Sequence, residues 1–285
     1  MLADPQMISF AGGAPAPETF PIDELAKIAE DILKNEGRIA LQYGITEGQP
    51  ALSAFTRERA EHNALLKEGD DMIITSGGQQ GIDLTAKVLL NEGDTVICEN
   101  PSFIGALNSF RSYGAKLCGI ACEEDGMDMD ALEQVLKTEK NVKLIYTIPT
   151  FQNPSGITMS LEKRKRLLAL AEQYGVAVLE DNPYGDLRFE GEKLPTLKSL
   201  DTGNTVIYVG TYSKTLQVQS RVKMLEKLEI LEVDEEDTSA LRLKFPPAPN
   251  SGKYPVIAEE LTKDYDGHIV FQDAHFTIEK GEKVA

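Results

Sequence analysis

Five polar side chains that could transfer protons or form covalent bonds follow three apolar segments of the sequence. Asn153 follows LIYTIPTFQ, Asp181 and Tyr184 follow VAVLE, and Thr211 and Lys214 follow TVIYVG. Each segment contains a short run rich in β-branched residues, as is typical of a buried strand. The carboxyl ends of parallel strands lie at one edge of a sheet, where open α/β folds bind ligands. Any one of these residues could be an ordinary loop residue, but their joint placement predicts a site with an acid, an amide, a phenol, a hydroxyl and an amine.

A glycine-rich loop, SGGQQG at residues 76–81, separates the apolar segment MIIT from a helical pattern. Glycine allows the backbone to approach a ligand closely, and the free N–H groups of a helix start favour an anion. The loop is therefore a candidate phosphate site. Glycine turns that only join a strand to a helix have the same composition, so both interpretations stay open.

Short apolar runs alternate with helical patterns from Met72 to Gly210. The predicted strands are MIIT, TVICE, KLCGI, LIYT, VAVLE and TVIYVG. This alternation predicts an α/β fold whose mostly parallel, doubly wound sheet is covered by helices on both faces. Upstream, apolar spacings of three and four predict two amphipathic helices, at residues 22–35 and 48–65. Residues 1–21 are rich in glycine and proline, which indicates an extended arm.

The composition argues against several classes of function. The 285-residue chain has a net charge of −17 at pH 7, which disfavours non-specific attraction to nucleic acid or anionic lipid. It contains no apolar run of about 20 residues that could span a membrane, and its first residues lack the order of a signal peptide. The three cysteines fit reduced thiols, and the three histidines are too scattered to predict a metal site. We therefore expect a cytoplasmic protein without a membrane or nucleic-acid partner.

Three motifs, IPTFQNPSG, LEDNPYGDLRF and GTYSK, in this order and at this spacing resemble the class I/II aminotransferases, the fold-type I enzymes that use pyridoxal 5′-phosphate (PLP). The resemblance extends from about Ile8 to Leu216 and includes ISFAGGAPAPETFP, LQYGITEGQPAL, SGGQQGIDL and ENPSF. It is strongest to the branch that handles 2-aminoadipate, aromatic and kynurenine-type amino acids. It implies the large domain of a PLP-dependent transferase, transfer of an amino group between an amino acid and a 2-oxo acid, and a homodimer.

The resemblance also implies catalytic roles at the positions that match. Lys214 would hold PLP as a Schiff base and, once an amine substrate displaces it, move a proton between the substrate and the cofactor. Asp181 would keep the pyridine nitrogen protonated, so that the ring accepts electrons. Asn153 and Tyr184 resemble the pair that hydrogen-bonds the phenolic oxygen of the ring.

Further positions match the parts of the family that bind the rest of the cofactor. Phe103 resembles the aromatic residue that stacks on the ring, and a core phenylalanine remains the alternative. Tyr43 resembles the tyrosine that reaches the phosphate of the neighbouring subunit, which implies that the two sites of a homodimer are shared. The positions that match phosphate-binding residues are Gly78, Gln79, Thr211 and Ser213.

The resemblance stops after Leu216. Arg221 lies seven residues after Lys214, at the spacing of the family's phosphate-binding arginine, but in a charged helical pattern without the family's glycine turn. The C-terminal domain that carries the family's arginine for the substrate α-carboxylate has no counterpart, and nothing around Arg242 matches it. The expectation is an aminotransferase large domain truncated at its catalytic lysine, with turnover impaired by this loss.

Residues 217–285 resemble a different family, the ABC-F ATPases: the end of the interdomain helical linker, then the first strands of the second nucleotide-binding domain. The G-x-x-x-x-G-K-[ST] loop that cradles nucleotide phosphates is absent. We therefore expect an N-terminal arm at 1–21, an incomplete aminotransferase domain at 22–216, and an ABC-F-like appendage at 217–285 that contains a helix, a proline-rich linker and a β hairpin. Two alternative functions remain open: an ATP-binding translation factor fragment, or an inactive chimera.

Overall fold

A computed structural model describes residues 20–188, 190–212, 214, 256–265 and 268–278 of the chain. The chain forms two compact units, Met1–Glu229 and Ile230–Ala285. Most of the predicted arm, Ser213, and the boundary predicted at Leu216/Gln217 lie outside the described residues, so these remain predictions.

The first unit is built on a six-stranded sheet with the order β3-β2-β1-β4-β5-β6. Neighbouring strands are parallel except β2 and β3, which form a short antiparallel pair. This confirms the predicted mostly parallel sheet. The strands are β1 (Thr95–Asn100), β2 (Lys116–Glu123), β3 (Gly126–Met127), β4 (Val142–Thr147), β5 (Ala177–Asn182) and β6 (Val206–Gly210).

Helices lie on both faces of this sheet, as the alternating pattern predicts. One core cluster joins the sheet to α3 and α4, and a second joins the opposite face to α5 and α6. The two upstream helices, α1 and α2, are also confirmed. The helices are α1 (Ile22–Ala40), α2 (Pro50–His62), α3 (Gly78–Leu89), α4 (Ile104–Ser112), α5 (Met129–Thr138), α6 (Leu161–Tyr174) and α7 (Leu197–Leu200). None of the helices in the described part of the chain is long and apolar enough to cross a membrane.

Local sequence signals explain where these helices begin and end. The Asp128 carboxylate accepts from the N–H groups of Asp130 and Ala131 and caps α5, and the Ser160 hydroxyl caps α6 in the same way. Helix α6 ends at Gly175, whose φ of 65° is the left-handed conformation that glycine adopts without strain. These caps fix the start of α5 and both ends of α6, the helices that precede β4 and β5.

The segment MIIT, Met72–Thr75, is not a strand, so this part of the prediction is wrong. The N–H group of Ile74 donates to the carbonyl of Glu47, in the loop before α2, at 3.0 Å. Among the described residues this segment has no strand neighbour, and a β-branched sequence without a partner strand cannot form a ladder.

The second unit contains a two-stranded antiparallel sheet formed by β7 (Val256–Tyr265) and β8 (His268–Ile278). The apolar segments that start at Val256 and at Ile269 predict β structure here, and the hairpin confirms it.

Candidate active site

The alternation of side chains along β4 and β5 determines which face of the sheet carries the candidate site. Tyr146 pairs with Leu179 across the two strands, and both belong to the core cluster under α3 and α4. Asp181 is two residues beyond Leu179, so its side chain emerges on the same face, at the carboxyl end of β5. Glu180 lies on the opposite face, where its carboxylate accepts from the N–H groups of Leu197 and Lys198 at the start of α7.

Asp181 is a nearly buried carboxyl group, with 6% of its surface exposed. The hydroxyl of Tyr146 donates to its Oδ2 atom at 2.8 Å. Burial raises the pKa of Asp181 to about 6, and the Tyr146 hydrogen bond opposes that rise. A cationic partner would favour the ionised form, so the environment suits a positively charged ring nitrogen.

Asn153 and Tyr184 come together from the loops that follow β4 and β5. Both are half-buried, and the Asn153 amide lies close enough to the Tyr184 hydroxyl to affect its pKa as a hydrogen-bond donor. Burial and the nearby Asp181 raise the pKa of Tyr184, whereas the Asn153 hydrogen bond lowers it. The predicted amide, phenol and carboxyl groups therefore lie in one neighbourhood.

The loop that carries Asn153 is fixed by Glu99, which sequence reasoning did not select as a site residue. Glu99 is 3% exposed and accepts from the Thr147 hydroxyl at 2.7 Å, from the Ile148 N–H at 3.1 Å and from the Gln152 side chain at 3.2 Å. The Gln152 side chain also donates to the Pro101 carbonyl at 2.8 Å. Burial raises the pKa of Glu99 to about 7, although these hydrogen bonds lower it. The only sequence signal was a charged residue at the end of an apolar strand.

The glycine loop before α3 forms a helix start that could bind an anion. Gly77 has a φ of 85°, a conformation that other residues rarely adopt, and α3 begins at Gly78. A Cβ atom on Gly81 would lie 3.3 Å from both methyl groups of Val209, so the lack of a side chain allows α3 to lie close to β6. The N–H groups of the first helical turn, at Gly78 and Gln79, point out of the helix and favour a phosphate.

The side chains of Gln79 and Phe103 lie together at the junction of α3 and α4. The Gln79 amide donates to the Gly105 carbonyl at 3.0 Å and to the Ser109 hydroxyl at 2.8 Å. Its side chain thus ties α3 to α4, and its backbone N–H is the group left for an anion. A Cβ atom on Gly105 would lie 2.5 Å from both the Phe103 ring and Gln79 Oε1, so these groups pack closely. Phe103 is partly buried against the core cluster, so both of its predicted roles remain compatible with the structure.

The segment after β6 brings Thr211 and Lys214 to the same end of the sheet. Val209 pairs with Asp181, so Lys214 follows five residues after the partner of that carboxylate. Both Thr211 and Lys214 are half-buried, and Lys214 has a helical backbone conformation. The intervening Tyr212 is anchored to α2: its hydroxyl donates to the Thr56 hydroxyl at 3.3 Å, and the Arg59 guanidinium lies 5.2 Å from its ring centre.

Tyr43 is not brought to the other predicted residues. It lies beyond the end of α1 and is fully exposed. Its predicted contact is with a neighbouring subunit, and that role stays a prediction.

A cavity of about 450 Å³ adjoins the site beside β6. Its lining includes Ile74, Gly77, Gly210 and Thr211, but not Asp181, Asn153 or Lys214. Asn182 also lines it, and the Oδ1 atom of Asn182 is buried without a hydrogen-bond partner in the described part of the chain. The cavity therefore touches the predicted phosphate region without containing the centre of the site.

Comparison with known proteins agrees with this geometry. The sequence model described as "Aminotransferase class I and II" matches residues 5–222. The chain is 42% identical over 239 residues to aromatic-amino-acid aminotransferase 1 of Thermococcus litoralis, covering 79% of this chain and 57% of the relative. It is 43% identical over 221 residues to 2-aminoadipate transaminase of Thermus thermophilus, covering 76% of this chain and 54% of the relative. The chain thus spans just over half the length of these relatives.

Solved structures are similar over the same region. Kynurenine aminotransferase of Pyrococcus horikoshii, in complex with PMP, matches with a TM-score of 0.67 and 36% identity, covering 75% of this chain and 59% of that one. The α-aminoadipate aminotransferase LysN of Thermus thermophilus, complexed with N-(5′-phosphopyridoxyl)-L-leucine, matches with a TM-score of 0.65 and 43% identity, covering 74% and 53%. The chain therefore belongs to the class I and II aminotransferases, a family of PLP-dependent enzymes.

Proposed function

We propose that this chain binds PLP and transfers an amino group between an amino acid and a 2-oxo acid. The observation that carries the proposal is the buried Asp181 carboxylate at the carboxyl end of β5, with the Asn153–Tyr184 pair beside it and the start of α3 on the same face of the sheet. The family match and the named relatives support the same activity.

The chemistry of the donor set fits each part of PLP. A buried carboxylate suits the ring nitrogen, because a cation stabilises its ionised form. The Asn153–Tyr184 pair offers hydrogen-bond donors for the phenolic oxygen. The N–H groups at Gly78 and Gln79 suit the phosphate, because a helix start attracts anions. Lys214 provides the primary amine with which the aldehyde group of PLP would form a Schiff base.

When bound, PLP supplies an electron-accepting ring that stabilises negative charge on the substrate Cα after its proton is removed. The residues of this chain would do the rest. Lys214 Nζ would bind the cofactor and then, once free, carry the proton to and from the substrate Cα. Asp181 would hold a proton on the pyridine nitrogen, and Asn153 and Tyr184 would orient the ring through its phenolic oxygen. Phe103 would cover one face of the ring.

The substrates and assembly follow from the relatives as further proposals. Relatives named for aromatic amino acids, 2-aminoadipate and kynurenine favour an amino donor of one of these kinds. We also propose a cytoplasmic homodimer in which the exposed Tyr43 reaches the phosphate of the partner's site. Ser213 would complete the phosphate contacts together with Thr211.

Residues 217–285 are proposed to be an appended region with the ABC-F-like order of linker helix and β hairpin, and the β7–β8 hairpin is compatible with this assignment. Neither the family match nor the named relatives support the alternative function of an ATP-binding translation factor. An activity assay decides whether the chain is instead an inactive chimera.

Titration of the full chain with PLP tests the proposal. We expect a visible absorbance band that is absent in Lys214→Ala and retained in Lys116→Ala, a matched control because Lys116 is exposed at the opposite edge of the sheet. Amino transfer from 2-aminoadipate or an aromatic amino acid to a 2-oxo acid should then depend on Lys214. A wild-type chain without a Lys214-dependent band would contradict the proposal.

A further inference from the structure

Tyr146 is the one residue whose hydroxyl contacts the Asp181 carboxylate among the hydrogen bonds of the described residues. It lies in the centre of the sheet, on β4, and none of its surface is exposed. It pairs with Leu179, which lies two residues before Asp181 on the same face of the sheet. The Tyr146 hydroxyl therefore points along the sheet toward the carboxyl end of β5. The position is therefore below the candidate site and outside any contact with solvent.

The ring of Tyr146 is held in place by its neighbours. Phe110 on α4 packs against it edge to face, with 5.4 Å between ring centres and an angle of 67°. Phe110 is also fully buried. A phenol confined in this way keeps its hydroxyl at the carboxylate, because both χ angles are fixed by packing.

The hydrogen bond engages only one of the two carboxylate oxygens, Oδ2. This contact restrains the orientation of the carboxyl group, and among the hydrogen bonds of the described residues none involves Oδ1, which is the atom available to a cationic partner. Burial and the Asp181 charge both raise the pKa of Tyr146, so the phenol remains protonated and always donates. Cys98 on β1 pairs with Tyr146 and lies on the same face of the sheet, whereas Glu99 lies on the other face and acts on Tyr146 only through its charge. The Asp181 charge also raises the pKa of Tyr184, so the carboxylate lies within a cluster of titratable groups.

We propose that Tyr146 is a positioning residue whose hydroxyl orients the Asp181 carboxylate toward the ring nitrogen of the cofactor. The inference rests on the proposed PLP-binding function. It assigns to a core tyrosine a role that packing alone does not require, since phenylalanine would fill the same volume beside Phe110 and Leu144.

The test compares Tyr146→Phe with Tyr113→Phe in the full chain. Tyr113 is a matched control because it packs against the same core cluster and its hydroxyl also bonds a carboxylate, Asp83, at 3.2 Å. The equilibrium dissociation constant for PLP is measured by absorbance or fluorescence titration, and thermal unfolding of the cofactor-free protein is measured in parallel. Loss of a hydrogen bond to a charged group should weaken PLP binding roughly tenfold to hundredfold in Tyr146→Phe, with no change in Tyr113→Phe.

A double-mutant cycle with Asp181→Asn separates positioning from folding. If Tyr146 acts through Asp181, Tyr146→Phe has little further effect on PLP binding in the Asp181→Asn background. The absorbance maximum of the bound cofactor should also change in the same direction in both single variants, because both disturb the protonated ring nitrogen. An equal loss of affinity in both backgrounds, or a lower melting temperature with unchanged affinity, would mean that Tyr146 has only a structural role.

Failure of the proposed function can be distinguished from failure of the positioning role. A wild-type chain that shows no Lys214-dependent PLP binding refutes the proposed function, whereas normal wild-type binding that Tyr146→Phe leaves unchanged refutes only the positioning role. Should Tyr146→Phe fail to fold, Phe110→Leu keeps the hydroxyl and loosens the ring. In that variant a severalfold weaker affinity supports the inference, and unchanged affinity contradicts it.

Discussion

Glu99→Gln is expected to reduce the loss of stability that the protein suffers as the pH rises from about 5 to about 8. Glu99 is almost completely buried and accepts three hydrogen bonds, yet burial raises its pKa from 4.5 to about 7. Glutamine has the same shape and carries no charge. The Thr147 hydroxyl can reverse its role and accept from the new amide, so we expect the variant to fold.

The sign follows from proton binding. Between pH 4.5 and 7 the folded state keeps a proton on Glu99 that the unfolded chain has released, so raising the pH through this window destabilises the folded state. At 1.36 kcal/mol per pKa unit, the shift corresponds to about 3 kcal/mol for a group with almost no solvent screening. Glu180 and Asp181, whose pKa values burial raises to about 7 and about 6, titrate in the same window and should preserve the remaining pH dependence in the variant.

The measurement is the free energy of unfolding by urea at several pH values for the wild type, Glu99→Gln and Glu68→Gln. Glu68 is exposed, so its variant should follow the wild type. We expect the difference in stability between pH 5 and pH 8 to shrink by roughly 1 to 3 kcal/mol in Glu99→Gln. If the variant keeps the full pH dependence of the wild type, then Glu99 is ionised throughout this range and the reasoning from burial is wrong.

Two further predictions concern buried polar groups. Arg164→Met should lower the free energy of unfolding in urea by about 3–5 kcal/mol, because four acceptors lose the buried guanidinium. Arg166→Met, on the exposed face of α6, should lower it by less than about 1 kcal/mol. Equal losses of stability in the two variants would contradict this prediction. The four acceptors are the carbonyls of Met159, Pro149 and Pro195 and the hydroxyl of Thr150. Asp181→Asn should weaken PLP binding roughly tenfold or more and yet leave the cofactor-free protein at least as stable above pH 6, where the wild-type carboxyl ionises. A melting temperature that falls together with the affinity would point to a structural carboxylate instead.

Arg164 and Arg166 belong to the same helix, α6, but differ in burial and in their partners. Arg164 is fully buried and joins the loop after β4 to the loop before α7. Arg166 is partly exposed and pairs with Asp130 and Glu133 of α5. The first is expected to hold the loop that leads to Asn153, and the second contributes to a solvated surface.

The sequence predicted most of the sheet, because short β-branched runs that alternate with helical patterns have few other stable arrangements. It failed at Met72–Thr75, where the local pattern favours a strand but the neighbouring backbone offers a single hydrogen bond to Glu47. A strand depends on a partner that lies elsewhere in the chain, so local sequence cannot decide it.

The candidate site also has a part that the sequence predicts and a part that only the tertiary structure determines. Asp181, Asn153, Tyr184 and Lys214 could be selected from sequence, because each follows a predicted strand and the carboxyl ends of parallel strands share one edge. The groups that hold them could not be selected: Tyr146 looks like an ordinary core position in the sequence, and Glu99 is marked only as a charged residue at the end of an apolar strand. Only the register of β4 against β5 brings the Tyr146 hydroxyl to Asp181, and only the packing of β1 beside β4 places Glu99 under the loop of Asn153. Residue types are therefore enough to suggest the chemistry, whereas the supporting hydrogen bonds join residues 35 to 53 positions apart and exist only once the tertiary structure has formed.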